Sequence, residues 1–333
     1  MTTFQTGLQR RQLIAAAAGA CGLGSFSRAA LAQDFPNRPV RIITPFPVGS
    51  GPEGVARLVA DKLSRAWGKG VLVENKPGGN GFVAIDAFKR GATDGHDLIQ
   101  LDNVHLSVYP HLMKKLPYDP ARDFEPLAPL FKAYFLVAVA ANSPYKNIKD
   151  LLADAKARPG QLNYGSWSVG NPVHLGSARL AAAMGVEMQH LIFKETTQLY
   201  TSVANGDLSF ALGSSGSTGP LYRAGKLRYL AVVASKRLSA LPDVPTLAEA
   251  GGPKDLEVTG WTTLATPPGL PKPLVDRLRA DLQKALAEPD MLEKFTAFGY
   301  EPFNLPGAAF NKFIADESRV MAEVIRNTRS SLD

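Results

Sequence analysis

Short apolar runs alternate with amphipathic segments along most of the chain. Runs at 40–46, 71–74 and 97–101 have the length and composition of buried strands. Between them, apolar residues recur with helical period over 55–67 and again over 82–90. This β-α-β-α-β order predicts a parallel sheet with helices packed on its faces.

A second series of the same kind follows an irregular stretch at 110–129. We predict strands at 134–141, 162–166, 188–194, 208–212 and 227–234, and helices at 147–158, 174–184 and 196–204. Segment 256–266 then crosses back, and two amphipathic helices at 272–287 and 308–327 close the chain. The pattern therefore predicts an α/β protein with two units.

Composition agrees with a globular protein and excludes several classes. The chain has 333 residues, 45% of them apolar, enough for two domains with cores of their own. The net charge of +7 is scattered and lacks interleaved aromatic residues, which argues against a nucleic-acid-binding protein. The five histidines and single cysteine show no metal-site spacing, so we expect neither a metal nor another cofactor.

The first 33 residues have the layout of an export signal. Arg10 and Arg11 precede an apolar run at 13–23, and a small-x-small cleavage site ends at Ala32. We predict a twin-arginine signal over 1–33 and a periplasmic protein, with a disordered tail as the alternative. Cleavage there would remove the only cysteine, Cys21, although a lipoprotein anchored through Cys21 remains an alternative.

The first strand leads into a glycine-rich turn. Gly49, Gly51 and Gly54 spell G-x-G-x-x-G before a helix, which is the dinucleotide-binding pattern. Pro47 and Pro52 remove backbone donors from this turn, and an exported protein would lack the dinucleotide. We therefore interpret the turn as a seat for a small anion, bound by backbone N–H groups at a helix N-terminus.

Six separated sequence blocks point to a known family. They are PFPxGxG at 45–51, VENKPG at 73–78, LPYDP at 116–120, PGQLNYGS at 159–166, AGKLR at 224–228 and LPDVPT at 241–246. In this order they resemble the receptors of tripartite tricarboxylate transporters, the Bug-type solute-binding proteins. The resemblance covers the whole chain after the export signal.

The resemblance implies a two-lobed periplasmic binding protein of type II topology. Its sheets would be rich in parallel strands and flanked by helices, with a ligand cleft between the lobes. Lobe 1 would comprise 34–133 and 260–333, and lobe 2 would comprise 134–259. Such a protein is not an enzyme: as a monomer it captures a small organic carboxylate and delivers it to membrane permease subunits.

Ligands of open α/β sheets bind beyond the carboxyl ends of the strands, which selects the loops of the predicted site. From lobe 1 the predicted ligand-binding residues are Phe46, Pro47, Gly49, Ser50, Gly51, Glu53, Asn80, Asn103 and His105. From lobe 2 they are Ser166, Trp167, Ser168, Asn171, Lys194, Glu195, Thr196 and Gly213.

Several of these residues have a second interpretation. Glu53 is equally suited to stabilising the dipole of its own helix, and His105 to an ordinary hydrogen-bonded role. Trp167 either stacks on a planar ligand or wedges into the lobe interface. Gly213 stands where many members of the resembled family carry an aspartate. Trp167 and this vacated position together suggest a carboxylate with an aromatic body.

Two other function classes remain as alternatives. A secreted hydrolase would use Ser168, because the segment 166–170 approaches the G-x-S-x-G nucleophile pattern, although Ser166 replaces its first glycine. A ligand sensor for a signalling partner would have the same two lobes as a transport receptor, so the sequence does not separate them.

Overall fold

The computed structural model describes residues 35–167, 169–193, 195–328 and 331. The predicted export signal therefore lies outside the described residues, as do the site residues Ser168 and Lys194. Within the described part, no helix combines the length and the apolar character needed to cross a membrane.

The first elements follow the predicted order. They are β1 (Val40–Thr44), α1 (Gly51–Trp67), β2 (Val71–Asn75), a short 3₁₀ turn (Gly79–Gly81), α2 (Phe82–Lys89) and β3 (Asp97–Asp102). Strand β1 lies between β2 and β3 and is parallel to both, as the β-α-β-α-β pattern predicts.

The chain after β3 differs from its prediction. The expected loop at 102–105 is instead the start of a π-helix (Val104–Val108), which continues into α3 (Tyr109–Leu112). The expected irregular stretch ends early, because β4 (Glu125–Ala140) starts within it. Pro126 and Pro129 suggested breaks, but the strand shifts register beside each of them, and such irregularities accommodate proline in a sheet.

The second series contains the predicted elements and one that was missed. It comprises α4 (Ile148–Ala157), β5 (Asn163–Ser166), α5 (Pro172–Met184), β6 (Gln189–Ile192), α6 (Thr196–Asn205), β7 (Ala211–Ser214), α7 (Ser215–Arg223) and β8 (Leu227–Val232). Helix α7 was not predicted, because Gly216, Gly219 and Pro220 give it the composition of a loop.

The last elements return to the first series. They are β9 (Thr259–Thr266), α8 (Lys272–Leu286), α9 (Pro289–Phe298), β10 (Tyr300–Glu301) and α10 (Gly307–Thr328). Strand β9 pairs antiparallel with both β3 and β4, so the sheet is mixed.

Strand β4 connects the two series. Its residues 125–134 pair with β9, and its residues 135–140 pair antiparallel with β7 and β8. We call the elements on the 125–134 side of the sheet the first half and those on the 135–140 side the second half. Each half has its own apolar clusters, built in the first half around side chains such as Val59 and Leu278 and in the second around Val137 and Phe210.

The register of β4 fixes where the strand ends point. Tyr134 pairs with Thr259 of β9, and its neighbour Phe135 pairs with Ser214 at the end of β7. By way of β9, strand β3 runs parallel to β4 and ends level with Phe131, whereas β7 runs antiparallel to β4 and ends at Phe135. The carboxyl ends of the strands in both halves therefore point towards the middle of β4. The loops that follow those strands consequently face each other.

A pair of glycine substitutions tests the packing of the second half. A Cβ added at Gly165 of β5 would lie 2.3 Å from Leu199 Cδ1 and 2.7 Å from Leu208 Cδ1, whereas one added at Gly70 would meet no heavy atom within 4 Å. We expect Gly165→Ala to lower the free energy of unfolding by about 1–3 kcal/mol through overpacking. Gly70→Ala should change it by less than about 0.5 kcal/mol. Urea unfolding followed by circular dichroism measures both, and equal effects would contradict the packing described for β5.

Candidate functional site

The loop after β1 is held by its own hydrogen bonds. The Ser50 N–H donates to the Pro47 carbonyl at 3.2 Å, and the Gly49 N–H donates to Glu53 Oε2 at 3.1 Å. Of the predicted anion-binding amides of Gly49, Ser50 and Gly51, the first two therefore already have acceptors within the protein. Gly51 begins α1, where first-turn amides have no partner within the helix.

Glu53 holds this loop in place. Its side chain is buried and pairs with Arg57, which in turn donates to Asn75 Oδ1 at 2.9 Å. Asn75 donates back to the Phe46 carbonyl at 2.9 Å. Both carboxylate oxygens of Glu53 are thus used inside the protein, which favours its structural interpretation over ligand binding.

Gly51 is required by a close neighbour. A Cβ at this position would lie 2.1 Å from the hydroxyl oxygen of Tyr300. Tyr300 is itself fixed, because its ring stacks on Phe131 with centroids 3.9 Å apart. The turn can therefore approach the first-half core only because Gly51 has no side chain.

The loop after β2, at residues 78–81, has an unusual backbone. Gly78, Gly79, Asn80 and Gly81 all have positive φ angles, of 102°, 53°, 54° and 84°. Asn80 is the one residue other than glycine with a positive φ in the part of the chain that the structure describes. Residues 78–80 are exposed, and successive amides in such a turn form a concave site suited to an anion.

The structure places Asn103 and His105 inside the protein. His105 is 5% exposed, with Nδ1 2.5 Å from Asp102 Oδ1 and Nε2 3.1 Å from the Asn80 carbonyl oxygen. Asn103 is also buried and donates to the Thr259 carbonyl at 3.3 Å. The His105 side chain does not face the open space between the halves, because the π-helix turns it inward, whereas Asn103 lines a cavity between them.

In the second half, Ser166 ends β5 and is fully buried. Its hydroxyl lies 2.7 Å from His190 Nε2, and its carbonyl accepts the Phe193 N–H at 2.9 Å. A substrate cannot reach a fully buried hydroxyl, so this serine–histidine pair gives no support to a hydrolase. Trp167 is half-buried and packs against apolar clusters of the second half, which favours a packing role over stacking on a ligand.

Asn171 starts helix α5. Its Oδ1 accepts the N–H groups of Val173 at 2.8 Å and His174 at 3.0 Å, as an N-cap residue does. His174 Nδ1 accepts the Gly170 N–H at 3.1 Å. Burial, with a contribution from nearby His190, lowers the pKa of His174 to about 4, so this imidazole is neutral near pH 7. The loop before α5 is therefore also held by internal bonds.

Glu195 and Thr196 are exposed at the start of α6, where the helix amides open to solvent. Gly213 lies in β7, and the space beside it is filled. A Cβ there would lie 2.3 Å from Thr218 Cγ2 and 2.9 Å from the Tyr200 ring. The Gly213 position therefore gives no support to an aromatic ligand, whose identity stays a prediction.

Sequence reasoning missed a group of serines at the start of α7. Ser214 caps the helix by accepting the Ser217 N–H at 3.3 Å, and it pairs with Phe135 in the middle of β4. The rule that selected the other loops, that ligands bind beyond the carboxyl ends of strands, also applies here. It was not used because the strand was predicted to end at residue 212.

The structure also contains a cavity of about 270 Å³ between the halves. It is lined by Asn103 and by charged residues that the sequence did not single out, among them Lys132, Arg179 and Glu317. Trp261 Nε1 donates to both carboxylate oxygens of Glu317 at 3.1 Å, and Arg179 donates to the Glu257 carbonyl at 3.0 Å. Burial raises the pKa of Glu317 to about 7.

Within the described residues, no group of three or more histidine, cysteine, aspartate or glutamate side chains is arranged to hold a metal ion.

Comparison with known proteins identifies the family. Residues 55–329 match the sequence model of the family TctC, the tripartite tricarboxylate transporter family receptor. The chain belongs to this receptor family. It is 32% identical over 290 residues to the "UPF0065 protein in tcbD-tcbE intergenic region" of Pseudomonas sp. (strain P51), covering 87% of this chain and 86% of that protein.

Two solved structures have the same fold. R. palustris Rpa4515 with adipate matches with a TM-score of 0.80 and 28% identity, over 90% of this chain and 99% of that one. MatC from Rhodopseudomonas palustris with bound malate matches with a TM-score of 0.75 and 27% identity, over 87% and 100% of the two chains. The family and the periplasmic-binding-protein fold predicted from the sequence blocks are thereby confirmed.

The raised pKa of Glu317 makes stability depend on pH. The Glu317 carboxyl group binds its proton more tightly in the folded protein than in the unfolded chain. Its contribution to the free energy of unfolding is therefore complete below about pH 4.5 and is lost as the pH rises through 7. We expect Glu317→Gln, which can still accept from Trp261, to be more stable than the parent at pH 8 by at most about 3 kcal/mol. At pH 5 the difference should fall to about 1 kcal/mol or less.

Urea unfolding at the two pH values measures this effect. The matched control is Glu323→Gln, at an exposed position on the same helix. This variant should differ from the parent in free energy of unfolding by the same small amount at both pH values. A Glu317→Gln difference that does not grow with pH would contradict a buried, proton-binding Glu317.

Proposed function

We propose that this TctC-family protein is a periplasmic receptor that captures a small organic carboxylate between two lobes and delivers it to a membrane permease. Lobe 1 would comprise residues 34–133 and 260–333, and lobe 2 residues 134–259. The observation that carries the proposal is the register of β4, which points the strand ends of both halves at each other.

The chemistry of these ends suits an anion. Helix α1 in the first half and helices α5, α6 and α7 in the second half each begin after the carboxyl end of a strand, and the start of α5 lines the cavity between the halves. The amides of a helix N-terminus and its dipole stabilise a carboxylate without a basic side chain. The left-handed turn at 78–81 adds further amides.

Only two segments connect the proposed lobes, β4 and the segment that enters β9. At one rim the lobes touch through small groups, since Ser215 Oγ donates to the Gly299 carbonyl at 3.4 Å. At the other rim Leu175 of α5 packs with Val108 and Leu112 of the first half in a limited apolar cluster. Ion pairs between Lys132 and Glu257 at 3.8 Å and between Lys236 and Glu301 at 3.3 Å also join the lobes. Two chain connections with local contacts of this kind suit hinged closure over a ligand.

The ligand class is inferred from the similar solved structures and from the surroundings of Trp167 and Gly213. Adipate and malate, which are named with the two R. palustris structures, are aliphatic dicarboxylates. In this chain Trp167 packs on the core and the space beside Gly213 is filled, so neither argues for an aromatic ligand. We therefore propose an aliphatic dicarboxylate, with one carboxylate bound by amides from each lobe.

Thermal unfolding of the purified protein with a panel of acids tests the proposal. The panel holds succinate, malate, adipate and benzoate, with succinamide and adipamide as uncharged matches. We expect at least one aliphatic diacid to raise the unfolding temperature by about 5–10 °C at a hundredfold excess over its Kd. The diamides should have no effect. Equal stabilisation by a diacid and its diamide, or by none of the compounds, would contradict carboxylate capture.

A proline substitution tests the use of backbone amides. Thr196 is the first residue of α6 and follows an extended residue, so Thr196→Pro fits the backbone and removes one N–H. We expect roughly tenfold weaker binding of the stabilising diacid by calorimetry, because a charge-assisted hydrogen bond is lost. Lys272→Pro, at the start of α8 away from the predicted loops, is the control. Unchanged affinity in Thr196→Pro would remove α6 from the site.

A further inference from the structure

His105 lies directly beneath the left-handed loop at 78–81. Its Nε2 is 3.1 Å from the carbonyl oxygen of Asn80. A carbonyl only accepts hydrogen bonds, so the contact requires that Nε2 carries a proton and donates it. This hydrogen bond links the buried π-helix to the exposed loop.

Gly81 makes this approach possible. A Cβ at residue 81 would lie 2.0 Å from His105 Nε2 and 3.0 Å from Cε1. Its φ of 84° also belongs to the region that favours glycine. Both the conformation and the absent side chain of Gly81 therefore accommodate the imidazole.

Asn80 needs support from outside the loop. A residue with a side chain at φ 54° and ψ 31° is less stable there than in an ordinary conformation, although asparagine tolerates it better than most. Two backbone hydrogen bonds hold the turn, from the Gly81 N–H to the Gly78 carbonyl at 3.0 Å and from the Phe82 N–H to the Gly79 carbonyl. The bond from His105 is a further restraint, and it acts on the strained residue itself.

His105 is itself held rigidly. Its Nδ1 faces Asp102 Oδ1 at 2.5 Å, and its backbone carbonyl accepts the Tyr118 hydroxyl at 2.6 Å. The ring also packs edge-on against Tyr109, with centroids 5.6 Å apart. These contacts fix the direction in which Nε2 points, so the ring imposes a position on the loop.

The orientation of the loop amides follows from this contact. In a helical turn, carbonyl groups point one way along the axis and N–H groups the other. With the Asn80 carbonyl directed at buried His105, the amides of Gly79 and Asn80 point away from it, on the exposed side of the loop.

We propose that His105 is a positioning residue for the ligand-binding loop: its Nε2–H holds Gly79–Gly81 in the left-handed turn that presents the amides of residues 79 and 80 to a ligand carboxylate. His105 does not touch the ligand. The inference rests on the proposed function for its consequence in binding, but the loop geometry can be tested without any ligand.

Two substitutions separate the two ends of the imidazole. Glutamine places an N–H near the position of Nε2, and asparagine places one near Nδ1. His105→Gln thus keeps the donor to Asn80, whereas His105→Asn keeps only the partner of Asp102. His111→Asn is the matched control, since His111 lies on the adjoining helix α3 and contacts Ser318 instead of the loop.

Amide hydrogen exchange by NMR reads out the loop at Gly81, whose N–H is bonded to Gly78. We expect His105→Asn to speed exchange of this amide about three- to tenfold, the effect of losing one ordinary hydrogen bond, with His105→Gln and His111→Asn within twofold of the parent. Binding of adipate, measured by calorimetry, should weaken by a similar factor in His105→Asn alone.

Equal exchange rates in all variants, or equal acceleration in the Gln and Asn variants, would overturn the inference. If the parent protein binds adipate and His105→Asn binds it as tightly, the positioning role is refuted while carboxylate capture stands. If the parent binds no acid of the panel, the proposed function fails, and the exchange rates still decide whether His105 sets the loop.

Discussion

The antiparallel pairing of β4 is the constraint on which the site depends. One continuous strand belongs to both halves, pairing with β9 up to Tyr134 and with β7 from Phe135. Since β3 runs parallel to β4 by way of β9, and β7 runs antiparallel to β4, the carboxyl ends of both strands lie beside the middle of β4. A shift of one residue at that point would turn alternate side chains to the wrong face and misalign the helix N-termini.

The polar side chains near these ends serve mainly to organise the backbone. Glu53 fixes the Gly49 amide, Asn171 caps α5, and His105 restrains Asn80. Each satisfies or orients backbone groups inside the protein. A site built in this way binds through amides that are already in place, which reduces the conformational cost of binding.

The sequence predicts most of the architecture because its signals are local. Strong periodicity located α1, α8 and α10, and the parallel β1–β3 unit followed from element order. Helix α9 (Pro289–Phe298), between the two predicted closing helices, was not predicted. Helix α7 was missed because Gly216 and Pro220 mask a helix that packing stabilises, and β4 was started late because its prolines suggested breaks. Local composition is a weak guide where tertiary contacts decide.

The site was harder to predict than the fold. The loops were selected by a general rule about strand ends, but the sequence does not show whether a polar side chain turns inward. His105 points into the protein because a π-helix follows β3, and the space beside Gly213 is filled by Thr218 and by Tyr200, which is distant in sequence. Arg179 and Glu317 lie in the middle of amphipathic helices, where sequence gives no sign of a shared cavity.

Small-angle X-ray scattering of the purified protein, with and without a saturating aliphatic diacid, tests the central claim most directly. Hinged lobes whose strand ends grip one ligand should give a smaller radius of gyration in the complex than in the free protein, with no change in molecular mass. A scattering curve that is identical with and without a ligand shown to bind by calorimetry would contradict closure about β4.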